Sequence, residues 1–250
     1  MEMTGMKLAL RHVYKRIEGL EVIRDLSLEV EEGRLACILG PSGAGKTTLL
    51  NLMAGITVPD SGEMEGFSGK RVSYLFQEPR LLKWKTVRGN LEFVLKDHMG
   101  PAERQRTIDR YLQMVGLTEF QHYLPAKLSG GMRQRVALAR AFAFPSDLLL
   151  MDEPFTGLDV QLKLSLMQAF IDLWLADRRT TFFVTHNIQE AVMLGEEIFV
   201  LSDRPASVKG HIELSIPHRQ RDGAMPELQR AERDLFRLLT LGTDATASPA

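Results

Sequence analysis

One stretch, GPSGAGKTT from Gly40 to Thr48, constrains this chain more than any other. It follows the apolar run RLACIL, which reads as a fully buried strand. It precedes TTLLNLMAG, which reads as a helix ending near Gly55. The spacing G-x-x-x-x-G-K-[ST] between a strand and a helix is that of a phosphate-cradling loop. Gly40, Gly43 and Gly45 let the backbone turn its N–H groups inward, with Pro41, Ser42 and Ala44 as the intervening positions. Lys46 then reaches β- and γ-phosphate oxygens, and the Thr47 hydroxyl, beside Thr48, suits Mg²⁺. A strand feeding such a loop and helix predicts an α/β chain with parallel pairing.

The rest of the sequence fits that frame. The first thirty residues alternate as strands, KLALRHVY and then EVIRDLSLEV, with Tyr14 ending the first. Short strands are expected around Glu63–Gly66 and Arg71–Phe76, after a turn at VPDSG. From Pro79 to about Phe144 the texture is helical. Beyond it, DLLLMDE, TTFFVTH, EIFVLS and ASVKGHIEL read as strands, separated by helices VQLKLSLMQAFIDLWLAD and IQEAVML. The expected fold is an α/β P-loop NTPase core with a mainly parallel sheet, an N-terminal antiparallel β subdomain and an inserted α-helical subdomain. Its core covers about 1–79 and 145–215, the helical subdomain about 80–144, and a final helix with a disordered tail about 216–250.

Composition excludes several alternatives. With 250 residues, 44% apolar and a net charge of −1, the chain has enough material for a real core and no strong field for nucleic acid. Its one cysteine, Cys37, allows no intrachain disulfide, and in LACIL it reads as a buried strand residue. No window approaches the roughly 18 apolar residues of a membrane span. The N-terminus, with its early Glu2, is unlike a secretory signal.

Further residues carry chemistry. LLLMDE ends an apolar strand on two carboxylates, where ligands bind in open α/β sheets. There Asp152 would hold Mg²⁺ and Glu153 would polarise an attacking water. His186 closes TTFFVT, where it reads either as structural or as a γ-phosphate contact. Gln77, in SYLFQEP, either caps a strand or senses Mg²⁺ or water. Tyr14 is a half-buried strand aromatic or a ring stacked on a base. A second cradle is present as well. In LSGGMRQRVALARA, Ser129, Gly130 and Gly131 open a helix whose positive end favours phosphate.

Taken in order, Tyr14, GPSGAGKTT, FQEP, LSGGMRQR, LLLMDEP, TGLD and VTH resemble the nucleotide-binding subunits of ATP-binding cassette (ABC) transporters, over roughly residues 6 to 215. That resemblance implies ATP and Mg²⁺ as cofactors. It implies Tyr14 as the adenine-stacking aromatic, Gln77 as the Q-loop glutamine and Glu153 as the catalytic glutamate. Asp159 would be the D-loop aspartate and His186 the switch histidine. It also implies a head-to-tail pair in which the loop of one copy and the Ser-Gly-Gly helix of the other enclose one ATP. Further implied partners are a separate membrane permease and an extracytoplasmic solute-binding protein, with the chain peripheral on the cytoplasmic face.

FQEPRLLKWKTVRGNL and LSDRPASV look most like the group that energises uptake of nitrate, sulfonates and taurine. Lys83, Ala44, Asn187 and Gly157 depart from residues usual there, and none removes a catalytic group. The competing readings are a soluble ABC ATPase without a transporter, a motor for another solute class, a non-enzymatic nucleotide binder and a P-loop kinase. The chain has one cassette and no heptad run, HRQR is short, and Lys46, Asp152, Glu153 and His186 are intact.

Overall fold

A computed structural model describes residues 6–240, so the expected tail from 241 onward lies outside the described residues. The chain opens with strands β1 (Lys7–Ile17), β2 (Leu20–Glu31) and β3 (Leu35–Leu39). Helix α1 (Lys46–Met53), β4 (Ser61–Glu65) and β5 (Val72–Leu75) follow. Then come α2 (Val87–Leu95), α3 (Pro101–Met114), α4 (Gly130–Ala143), β6 (Leu148–Asp152) and α5 (Val160–Asp177). The last elements are β7 (Thr180–Thr185), α6 (Ile188–Leu194), β8 (Glu197–Leu201), β9 (Val208–Glu213) and α7 (Pro226–Thr240). These form two compact units, Arg71–Arg178 and the described part of Met1–Lys70 with Arg179–Ala250.

In the split-sequence unit, β1 pairs antiparallel with β2 and β4, so the alternating N-terminal pattern makes a small antiparallel sheet. Leu8, Leu10, Leu26 and Leu28 are buried, while Lys7, Arg11 and Glu29 join in exposed ion pairs. Strand β3, fully buried, pairs in parallel with β7 and β8, and β9 closes the edge antiparallel to β8. Continuous apolar runs are what strands covered on both faces require.

Two expectations are corrected here. Tyr14 does not end β1, which runs to Ile17. Glu18 and Gly19, both at positive φ (50° and 83°), make the tight two-residue turn into β2. Similarly, β4 starts at Ser61 inside the expected turn. Gly62 is at φ 94°, and a Cβ there would lie 2.3 Å from the His12 carbonyl oxygen, so the close strand approach needs glycine.

In the unit Arg71–Arg178, β5 and β6 pair in parallel, with Tyr74 opposite Leu150 and Leu75 opposite Met151. Phe142, Phe155, Phe170 and Trp174 are buried among its helices. Each such burial is worth about 1.5–3 kcal/mol. Helix starts are set by polar caps. Thr86 Oγ1 accepts from the Gly89 N–H at 3.0 Å, Ser129 Oγ from Met132 at 3.2 Å and Asp159 Oδ1 from Leu162 at 3.0 Å. Loss of such a cap costs about 1 kcal/mol.

Candidate functional site

The glycine-rich loop takes the shape its sequence demands. Gly43 and Gly45 sit at φ 80° and 107°. A Cβ on Gly45 would stand 2.9 Å from Val22 Cγ1, so only glycine fits there. Lys46 is buried, and its Nζ donates to the Gly40 and Pro41 carbonyls at 2.9 and 2.8 Å. Its ammonium is thus folded against the rim of the loop it would serve. Ser42 and Thr47 are exposed, offering hydroxyls.

Parallel pairing brings His186 beside this loop. Leu39 is in register with Thr185, and the Gly40 N–H donates to the Thr185 carbonyl at 3.2 Å. His186 and Gly40 are therefore the next residues past two adjacent strand ends. With Pro41, Asp203 and Lys209 they line a cavity of about 180 Å³. Asn187 caps α6, its Oδ1 accepting from the Glu190 N–H at 3.1 Å. Tyr14, half-buried, belongs to the antiparallel sheet, where it pairs with Ser61. Cys37 is fully buried, and burial pushes its thiol well up, as suits an inert core residue.

The second unit gathers the carboxylates. Asp152 ends β6 and Gln77 lies two residues past β5, its register partner, so both project from the same end of the pair. Glu153 follows at φ 46°, an uncommon left-handed position for a non-glycine residue, and its Oε2 accepts from Thr156 Oγ1 at 3.2 Å. Buried Gln134 of α4 donates to the Pro154 carbonyl at 2.6 Å, which ties that helix to the carboxylate loop.

Tyr74, which the sequence did not single out, faces the same side of the β5–β6 pair as Asp152 and donates its hydroxyl to that carboxylate. Burial first, and then the Asp152 charge, hold the phenol well above its ordinary range, so it stays a donor. Its ring stacks on Phe76 at 4.3 Å, and the Arg80 guanidinium lies 3.7 Å over the Phe76 ring. The only advance signal was the two-residue spacing of Tyr74 and Phe76 in a strand.

The helix opened by Ser129, Gly130 and Gly131 is built as expected. Ser129 is the N-cap of α4, Gly130 and Gly131 are its first two residues, and Ser129 and Gly130 are exposed. A Cβ on Gly131 would stand 2.3 Å from Leu162 Cδ1, at the start of the helix that Asp159 caps. Leu162 thus joins the Ser-Gly-Gly helix to the Asp159 turn.

The residues fit a magnesium nucleotide. The loop is an open nest with alternating left-handed glycines, suited to phosphate. Among the described residues no three His, Cys, Asp or Glu cluster to hold a metal ion by themselves. Mg²⁺ does not need such a cage, because it takes one or two protein oxygens together with phosphates and water.

Residues 23–156 match the family described as ABC transporter. The nitrate import ATP-binding protein NrtD of Synechococcus elongatus is 36% identical over 223 residues, covering 84% of this chain and 81% of the relative. The taurine import ATP-binding protein TauB of Roseobacter denitrificans is 37% identical over 226 residues, covering 86% and 83%. A solved dimeric ATP-binding cassette, MJ0796 bound to ADP and Pi, superimposes with a TM-score of 0.70 at 28% identity, covering 84% of this chain and all of that one.

Proposed function

Since this chain belongs to the ABC transporter family, as one of its ATP-hydrolysing ATP-binding subunits, we propose that it works as a pair of copies that drives uptake of a small anion through a separate permease. The observation that carries the reading is a pair of segments suited to phosphate in one chain, the loop with left-handed Gly43 and Gly45 and the exposed, Ser129-capped start of α4. A single ATP needs one nest, and the exposed start of α4 is a second, lent to another copy. The relatives named for nitrate and taurine import support an oxyanion or sulfonate as the solute. Among the described residues no helix is long and apolar enough to cross a membrane, which accords with a peripheral place on a permease. An extracytoplasmic solute-binding protein would complete the system.

In this reading the N–H groups of Gly43 to Thr48 and the Lys46 ammonium hold the β- and γ-phosphates, and Tyr14 stacks on adenine. Thr47, Asp152 and Gln77 would hold Mg²⁺, which neutralises charge on the phosphate oxygens when bound. Glu153 accepts a proton from water as the water oxygen bonds to the γ-phosphorus and the bond to the ADP oxygen breaks. His186 steadies the γ-phosphate. Ser129, Gly130, Gly131 and Asp159 act across the pair. Bound ATP then favours the closed pair, and its hydrolysis releases it.

The test is Glu153→Gln. It keeps size and hydrogen bonding but removes the base. ATP binding is expected to persist, the pair to stay trapped, and turnover to fall by about a hundredfold or more. Hydrolysis at the normal rate would overturn the assignment. For the solute, purification with the native permease followed by uptake assays with nitrate and taurine decides. Transport of neither would overturn the anion reading.

A further inference from the structure

The hairpin between β8 and β9 carries the LSDRPASV stretch, and the chemistry above leaves it without a role. It is a built loop. Ser202 Oγ donates to the Asp203 carbonyl at 2.8 Å and accepts from the Ser207 N–H at 2.9 Å, and the Ser202 N–H donates to the Ser207 carbonyl at 2.9 Å. The loop is stitched to β2 as well. The Ala206 N–H donates to the Val22 carbonyl at 2.8 Å, and the Ala206 carbonyl accepts from Arg24 at 3.0 Å. Val22 is the residue packed where a Gly45 side chain would be.

From this rigid base Arg204 reaches the glycine-rich loop. Its Nε and Nη2 both donate to the Gly43 carbonyl, at 3.0 and 2.6 Å. A phosphate nest works only if its carbonyls point away from the anion while the N–H groups point in. Gly43, at φ 80° and without a side chain, is free to turn its peptide over. The two donors from Arg204 hold that peptide on the outside. Lys46 does not substitute for this. It donates to the Gly40 and Pro41 carbonyls, and its ammonium is the group that turns to phosphate.

We propose that Arg204 is a positioning residue for the nucleotide site: by clamping the Gly43 carbonyl it keeps the 40–48 loop in its anion-binding form and so sets the affinity for nucleoside di- and triphosphates. The proposal rests on the reading of that loop as the ATP cradle. Arg204 acts through the loop, so its loss weakens ATP and ADP alike and loosens the loop even without nucleotide.

The experiment measures ATP and ADP affinity by calorimetry, and amide hydrogen exchange of Gly43 to Lys46 in the nucleotide-free protein, for Arg204→Ala, Arg204→Lys and Lys46→Ala. Arg204→Ala is expected to weaken both nucleotides by about tenfold and to speed exchange across the loop, with Arg204→Lys recovering much of each. Affinity within twofold of the native protein in Arg204→Ala overturns the proposal. So does weakened affinity with unchanged exchange, which would make Arg204 a direct ligand contact. If Arg204→Ala does not fold, Arg204→Gln, with one amide donor and a shorter reach, replaces it: weaker affinity with faster exchange supports the clamp, and no change in either overturns it. Unchanged affinity in Lys46→Ala would instead overturn the cradle itself, separately from the role of Arg204.

Discussion

The chain holds two glycine-bearing segments that suit phosphate, and they use glycine in different ways. In the 40–48 loop Gly43 and Gly45 adopt left-handed backbone, and conformational freedom is what the loop needs. At the start of α4, Gly130 and Gly131 are ordinary helix residues, and Gly131 leaves room for the end of the Leu162 side chain, which stands where its Cβ would be. The first site is braced, with Lys46 inside and Arg204 outside. The second presents Ser129 and Gly130 to solvent. On the proposed function, one is a complete cradle and the other a surface that meets a ligand held by another copy.

Two substitutions test that contrast, and a third tests the carboxylate end of the β5–β6 pair. The largest effect is expected from Ser129→Arg, which puts a bulky cation on the exposed site. ATP binding to the isolated chain should be nearly unchanged, while hydrolysis and ATP-driven pairing fall by about a hundredfold. Sedimentation with ATP and a turnover assay check this, and normal pairing would end the two-cradle account. Next is Gly131→Ala. Overpacking against Leu162 should cost about 1–3 kcal/mol and lower the melting temperature by a few degrees. Adding Leu162→Ala should restore much of both stability and turnover. No rescue would mean that Gly131 is needed for freedom, as Gly43 is.

The smallest effect is expected from Tyr74→Phe, which keeps the stack on Phe76 and removes only the donor to Asp152. Mn²⁺ affinity of the ATP-loaded protein, read by electron paramagnetic resonance, should weaken about three- to fivefold. An unchanged value would leave Tyr74 a packing residue.

Much of this was legible in the sequence because it is local. The 40–48 loop, the Ser129 cap and helix α5, which spans the whole of VQLKLSLMQAFIDLWLAD, follow from residues within one turn of each other. The carboxylate pair was legible as the end of an apolar strand. What escaped depends on distant pairing. Arg204 meets Gly43 across 161 positions, and Leu162 meets Gly131 through helix packing. Tyr74 meets Asp152 only once β5 and β6 are in register. The end of β1 was misplaced at Tyr14 for a different reason. Glu18-Gly19 is a good tight turn, but Lys15 and Arg16 interrupt the apolar alternation just before it.

The left-handed backbone at Glu153 has a practical consequence. Such a conformation costs a non-glycine residue on the order of 1 kcal/mol or more, and glycine or asparagine adopts it far more easily. A screen that selects this protein for heat resistance alone would therefore favour Glu153→Gly or Glu153→Asn. With Glu153 as the base of the proposed function, it would enrich chains that survive heating and no longer turn over ATP, so tolerance and competence have to be scored on the same clones.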